Sequence, residues 1–450
     1  MRRVKVIGAL MASVLLVGAC SKSDDKESTD TTTAGTTETT TASTGSTATT
    51  DTVSLEGSTE GISDTEINVA FVNSDTAALQ EAGIVPVTGD PWLQFQTFVD
   101  LANEAGGAGG LQINVSNFQY AAGAPATDQQ PACIGATEDA NAAIVVYLGG
   151  YAPETILCTT ETHERIAYGL SGIMLQEVYD ASAGRLFSQG MTSERLMQAW
   201  VDLTDAQGLL EGHKLGIIRA DLADHEATAS ALVSSLEAAG YEVTENIALP
   251  CEGRSCSQND VAAQRMQSSG VDTVFSLLSA IPYPTFVQAG MDIGFEPQWL
   301  SSDFENQVFN STAKFMESVA TSYEGAIGVT YGIDETTADD YGTECNAKFT
   351  EATGITYEYG TQGDAWNAVR TSCHAVEVLV AAINKAQSDY GVINQTTIIM
   401  AMESLDPSFG PNVGSWNDAK HDSADLVTAE QFHSDCACWL EVEGARTTLS

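Results

Sequence analysis

From Glu66 onward, short apolar runs alternate with amphipathic stretches. Ile67–Val72 reads as a strand. Asp90-Pro91 then opens a helix through Ala105, with Trp92, Phe95, Val99 and Ala102 on one face at steps of 3, 4 and 3 residues. Gly106-Gly107 ends it. Leu111–Phe118 is the next strand, and a helix follows around Asp128–Asp139. Ala143–Leu148 is a continuous apolar run, the pattern of a central parallel strand covered on both faces. It stops at Gly149-Gly150, and a helix over Glu154–Glu164 leads into a strand at Ile166–Leu170.

The same grammar restarts near Thr192. Helices are predicted over Glu194–Leu210, Glu226–Ala239, Val261–Ser269 and Pro284–Ile293. They alternate with strands at Lys214–Arg219, Tyr241–Leu249, Val271–Leu278 and Gln298–Ser301. Repeated βα units with right-handed crossovers predict an α/β protein of two lobes, each a parallel sheet clad in helices. The rhythm then breaks. Tyr323–Tyr331 is strand-like, and two long helices follow at Ala338–Thr353 and Gln362–Ser388 without a strand between them. A chain that returns to pack on the first lobe and then crosses again accounts for them. A Gly/Pro/Asn-rich tail with short β segments runs from Phe409 to Val442.

The beginning of the chain has a different character. Arg2, Arg3 and Lys5 precede an apolar core from Val6 to Val17, and Gly18-Ala19-Cys20 closes it. This is the form of an export signal, too short to span a bilayer with its roughly 20 apolar residues. The cysteine after Gly-Ala resembles the lipobox of bacterial lipoproteins, which implies a signal peptide over 1–19 and a lipidated Cys20. Ser21–Glu60 holds 22 Ser and Thr, with Val53 and Leu55 its only large apolar side chains. Such a segment cannot offset its ordering entropy and is predicted to be a disordered tether over 20–60, reaching on the order of 35 Å. The expected location is the outer face of the cell membrane, held by lipid.

Charge narrows the partners. Sixty-one Asp and Glu against 18 Lys and Arg give a net −43, which disfavours nucleic acid and anionic lipid surfaces. Solvation in salty surroundings is the plain explanation of such acidity. Of nine cysteines, Cys20 is set aside and eight remain, an even number that argues for disulfides in an exported chain. Cys251 and Cys256 look like a loop staple, and Cys133 and Cys158 lie one helix apart. Cys345 and Cys373 sit on successive helices, and Cys436-Ala-Cys438 remains. Spacing alone leaves the connectivity open. No spacing suits zinc, and no cofactor is expected.

The order of elements resembles the leucine/isoleucine/valine-type solute-binding proteins of ABC importers. Five stretches carry the likeness: Gly61–Ala70; Leu215–Asp221 with Leu236–Val243; Val271–Phe275 with Phe286–Gly294; Glu324-Gly325; and Asp364-Ala365-Trp366 opening a long helix. The resemblance implies the class I periplasmic-binding fold, two Rossmann-like lobes joined by a three-segment hinge. The implied division is lobe 1 over 61–188, lobe 2 over 189–322, a return to lobe 1 over 323–404 and a lobe 2 tail over 405–450. It further implies a monomer that captures a small polar solute between its lobes and delivers it to a membrane permease, with no bond made or broken.

By the same resemblance, ligand contacts fall on Asn73 and Ser74 after the first strand, on Gly149, Gly150 and Tyr151 after the third, and on Ser171 and Gly172 after the fourth. In lobe 2 they fall on Asp224, Ser279, Tyr283 and Asp303. Gly150 and Tyr151 stand where amino-acid binders carry small hydroxyl residues. Asp303 stands at the acid that meets the ligand ammonium, and two acids in one cleft favour a cationic or amine-bearing ligand. Each position also has a plainer role: Gly149-Gly150 as a chain turn, Tyr151 as a rim aromatic, Ser171 as a helix cap. Asp221, Asp224 and Asp303 could be members of a solvated acidic surface. An enzyme is disfavoured, since no Gly-x-Ser-x-Gly elbow, phosphate loop or His-Glu-x-x-His occurs. The alternative is a ligand-sensing receptor module of the same fold.

Overall fold

A computed structural model describes residues 54–449 apart from 82–84, 171, 253–254, 333–337 and 406–413. The expected signal peptide, Cys20 and most of the tether lie outside these residues, as does Ser171. Leu55, Glu56 and Ser58, which the composition assigns to a tether, hydrogen-bond to the body of the protein. The Leu55 and Glu56 carbonyls accept from Asn394 Nδ2 (2.8 Å) and Thr396 Oγ1 (3.0 Å), and the Gln395 N–H donates to Ser58 O (3.0 Å). The segment thereby supplies partners for groups at the start of helix Gln395–Glu403, which the sequence pattern did not reveal.

The first sheet contains β1 (Glu66–Asp75), β2 (Gln112–Ala121), β3 (Ile144–Leu148), β4 (Ile166–Gly169) and β5 (Leu186–Ser188). Its order is β2-β1-β3-β4-β5, parallel throughout. Ile144–Tyr147 are buried, as their unbroken apolar run requires of a strand covered on both faces. Helix Pro91–Glu104 packs Phe95, Phe98 and Val99 onto this sheet. It is capped by Asp90, whose Oδ1 accepts from the Trp92 and Leu93 N–H groups at 3.0 and 3.2 Å.

The second sheet contains β6 (Leu215–Ala220), β7 (Val243–Leu249), β10 (Thr273–Leu277), β11 (Gln298–Ser302), β12 (Ile327–Thr330), β13 (Leu426–His433) and β14 (Cys438–Thr448). Between β7 and β10, β8 (Cys251–Glu252) and β9 (Ser255–Cys256) form a separate small hairpin. The large sheet runs β14-β13-β12-β11-β10-β6-β7. It is mixed rather than wholly parallel, because β13 and β14 add antiparallel at its edge. A chain arriving at an edge can finish as a hairpin, which needs no helical crossover.

The strand-like run at Tyr323–Tyr331 belongs to this second sheet, so the expected return to lobe 1 at residue 323 moves beyond Tyr331. Tyr323 closes a short helix instead of starting the strand, and its ring fills the lobe 2 core against Tyr283, Phe432 and Trp439. Helices Asp340–Thr353 and Gly363–Tyr390 then pack on lobe 1 through Phe349, Val369, Val376, Leu379 and Ile383. The chain therefore passes between lobes three times. The first and third passages are stitched together: Ser188 N–H donates to His421 O (2.9 Å), Ser423 N–H to Ser188 O (2.9 Å) and Ala424 N–H to Gly190 O (3.0 Å). Arg195 clamps the same region by reaching Asp422 and Asp425, both at 2.7 Å.

Four disulfides join Cys133 to Cys158, Cys251 to Cys256, Cys345 to Cys373 and Cys436 to Cys438. Among the described residues no helix is long and apolar enough to cross a membrane.

Candidate functional site

A cavity of about 160 Å³ lies between the lobes, at the carboxyl ends of their strands. Open α/β sheets bind ligands in this place because the loops leaving the strands converge there. Lobe 1 contributes Gly149, Gly150 and Tyr151 after β3 and Gly172–Leu175 after β4. Tyr151 turns back so that its hydroxyl lies over Gly169 and Gly172, where a side chain on Gly169 would collide with it. Burial raises the Tyr151 hydroxyl well above its ordinary value, with the neighbouring tyrosines adding to the effect. It is a neutral donor.

Lobe 2 contributes charge. Asp303 directly follows β11 and is 3% exposed. Its Oδ2 accepts from Thr330 Oγ1 (2.6 Å) and from the Tyr331 N–H (2.9 Å), so the end of β12 sets its direction. Asp224, in the first turn of helix Ala223–Ala238, accepts from the N–H and Nδ1 of His225 at 2.9 and 3.0 Å. That side-chain bond to His225 pulls the Asp224 carboxyl below its ordinary range, against the opposing effect of burial. His225 is itself fixed edge-on to Phe304, with centroids 5.1 Å apart.

Among the lining residues that escaped the sequence reading are Glu305, Thr228 and Tyr331. Glu305 and Asn306 both adopt left-handed backbone, φ 58° and 61°. For non-glycine residues this conformation is uncommon, and it concentrates at sites where the surrounding structure dictates it. Here the Ala280 N–H donates to Glu305 O at 3.2 Å and holds the turn. Burial pushes the Glu305 carboxyl up; His225 opposes this and the Asp224 charge adds to it. Thr228 Oγ1 is buried and has no hydrogen-bond partner among the described residues. Tyr331, from lobe 2, hydrogen-bonds the backbone of Gly172 in lobe 1; burial and Asp303 raise its hydroxyl far above normal.

The structure thus brings Gly149, Gly150, Tyr151, Gly172, Asp224 and Asp303 to one cavity. It does not bring Tyr283 there. Tyr283 is 1% exposed and packs edge-on to Trp299 and Tyr323, because the helix beginning at this residue turns its ring into the lobe 2 core. Ser279 sits behind the wall, hydrogen-bonded to the Glu305 side chain. Asp221 is exposed and does not line the cavity. Asn73 and Ser74 lie inside β1 rather than after it, and border a second cavity of about 230 Å³ in lobe 1.

Three carboxylate-bearing residues line the main cavity alongside Ile173, Met174, Leu175 and Phe309, and among the described residues no Lys or Arg lines it. This combination solvates a cation that carries an apolar body. Cys133, Cys158 and His163 lie within ligating distance of one another, but the two sulfurs are bonded together and offer no thiolate. Among the described residues no other group of three ligands is close enough to share an ion.

Comparison with known proteins agrees with this architecture. Among curated proteins, none matches the chain by sequence. A branched chain amino acid ABC transporter from Thermus thermophilus with bound valine superposes with a TM-score of 0.64 at 14% identity. It covers 86% of this chain and 97% of its own. An R. palustris ABC transporter solute-binding protein in complex with 4-hydroxybenzoate gives 0.63 at 14% identity, covering 85% and 97%. A third, from Desulfitobacterium hafniense with Leu, gives 0.57 at 13%, covering 84% and 100%. The periplasmic binding protein family matches residues 66–422, most of the chain, and the chain belongs to that family.

Proposed function

We propose that this protein is the extracytoplasmic solute-binding component of an ABC importer, and that its solute bears an amine. The observation that carries the second part is the cavity wall: Asp224, Asp303 and Glu305 line it, and among the described residues no Lys or Arg does so to neutralise them. A cation entering there is paired in a partly dry setting, where Coulomb attraction is several-fold stronger than in water. The Tyr151 and Tyr331 hydroxyls and Thr228 Oγ1 are the polar groups for the rest of the solute. Binding and release constitute the whole activity: the lobes close on the solute, and a membrane permease reads the closed form. The chain acts as a monomer, exported by its signal peptide and anchored through lipid on Cys20, with the Ser/Thr-rich tether holding the lobes near the permease.

A thermal-shift screen of the mature protein against amines, amino acids, amides and organic acids tests the reading. A true ligand at a hundredfold excess over its Kd stabilises the folded state by about 2.7 kcal/mol. Amine-bearing compounds should give the large shifts. A response confined to organic acids refutes the amine assignment while leaving solute binding intact. For the anchor, Cys20→Ala should release the protein into the medium; retention in the membrane fraction counts against lipidation.

A further inference from the structure

The second cavity has the marks of a binding site in its own right. It lies where the carboxyl ends of β1 and β3 part, with Asn73 and Ser74 on one side and Leu148 and Gly149 on the other. In the order β2-β1-β3-β4-β5 the connection from β1 runs to β2 on one side and that from β3 runs to β4 on the other, which opens a crevice between β1 and β3. Asn73 is 1% exposed, and neither Nδ2 nor Oδ1 has a hydrogen-bond partner among the described residues. A buried primary amide left unmatched is costly, and Asn73 is one of the residues lining this cavity.

Gly149 borders both this cavity and the acidic one. Its φ of 95° excludes most side chains, and a methyl there would press on Ser74 Oγ, so the partition between the two spaces carries no side chain. Neither space, at about 160 and 230 Å³, reaches the ~300 Å³ at which small-molecule pockets usually begin, whereas the two taken together do. Val85, Pro86, Pro91 and Leu148 make the second cavity largely apolar, and among the described residues no charged one lines it.

Resting on the amine reading above, we propose that one solute occupies both spaces. Its ammonium lies among Asp224, Asp303 and Glu305, an aliphatic spacer passes Gly149, and a neutral primary amide pairs with Asn73. A terminal amide offers the complementary donor and acceptor. A terminal carboxylate would be buried without a countercharge. The substrate class is therefore an ω-amino amide.

Calorimetry on the mature protein with 4-aminobutanamide, 5-aminopentanamide, 6-aminohexanamide, 6-aminohexanoate and n-butylamine tests this. At least one amide should bind about tenfold or more tightly than both n-butylamine and 6-aminohexanoate. Asn73→Leu should erase that preference. Ala368→Leu, which fills the second cavity from helix Gly363–Tyr390, should bring the best amide and n-butylamine within about twofold of each other. Amides that bind no better than n-butylamine, or a preference that survives both substitutions, overturn the two-cavity solute and leave the acidic cavity standing. Failure of every amine to bind refutes the acidic-cavity reading itself, and the proposal with it.

Discussion

The two lobes share a βα plan but meet the cleft with different materials. Lobe 1 offers glycines, a tyrosine hydroxyl and apolar side chains; lobe 2 offers Asp224, Asp303 and Glu305. They are also stapled differently. Disulfides in lobe 1 bridge separations of 25 and 28 residues, whereas those in lobe 2 bridge 5 and 2. Lobe 1 is thus the shaped, internally cross-linked wall, and lobe 2 the charged one. A solute should take its fit from the first and its attraction from the second.

The stapling difference makes the largest expected effect. In the chain-entropy account, closing a loop of 28 residues stabilises by about 3–4 kcal/mol, and a very short loop by much less. Cys345→Ser with Cys373→Ser should therefore lower the unfolding free energy by about 3 kcal/mol in denaturant titrations. The Cys436→Ser, Cys438→Ser pair should cost about 1.5 kcal/mol or less. Equal losses from the two pairs would remove the distinction between long-range and local stapling.

Next comes the charge of lobe 2. Asp303→Asn keeps an acceptor for Thr330 Oγ1 and the Tyr331 N–H but removes the negative charge. Truncating one partner of a buried charged pair costs about 2–5 kcal/mol, so affinity for the strongest amine in the screen should fall by roughly two orders of magnitude or more. Tyr151→Phe, on the lobe 1 wall, should cost about tenfold. If Tyr151→Phe proves the more damaging change, the assignment of attraction to lobe 2 fails.

How far these walls were legible in the sequence differs in the same way. The strand ends of lobe 1 were visible because Gly149-Gly150 closes an apolar run and is followed by Tyr151. Asp224 and Asp303 were legible only through the resemblance to the solute-binding family, which implies ligand contacts at both positions. Glu305 was not, because its approach to the cavity depends on a left-handed turn at two non-glycine residues, which local propensity argues against. Thr228 lies one turn beyond Asp224 on the same helix, and only the packing of that helix decides which face meets the cleft. Tyr283 was misplaced for the complementary reason: its sequence position suits the cleft, yet the aromatic cluster of Trp299 and Tyr323 claims its ring.

Acidity provides the third prediction. The folded-state carboxyl of Glu305 is raised above 4.5, so over the range between its unfolded and folded values the folded protein holds the extra proton. Its burial penalty is full above the folded value and relieved as pH falls through it. Asp224 has the opposite sign: its pairing with His225 stabilises the fold above about pH 3.8 and is lost as pH falls through the lower folded value. Amine affinity should therefore decline on acidification first through Glu305, in a range above pH 4.5. Calorimetry from pH 7 downward should show that decline, and Glu305→Gln should flatten it. An unchanged profile in Glu305→Gln would remove Glu305 from the attracting set.

The smallest effect is the most discriminating, because its two readouts move in opposite directions. Thr228 Oγ1 is buried and has no hydrogen-bond partner among the described residues, so in the empty protein the hydroxyl carries a desolvation cost without a return. Thr228→Val keeps the shape and removes that cost, so thermal stability without solute should stay level or rise by about 1 kcal/mol. With solute bound, the same hydroxyl gains a partner. Its loss should weaken binding by about fivefold to tenfold, the value of one ordinary hydrogen bond. A purely structural role would lower stability and leave affinity alone. Denaturation and calorimetry on this one variant thus decide whether the charged wall also carries a neutral contact, or whether lobe 2 acts through its carboxylates only.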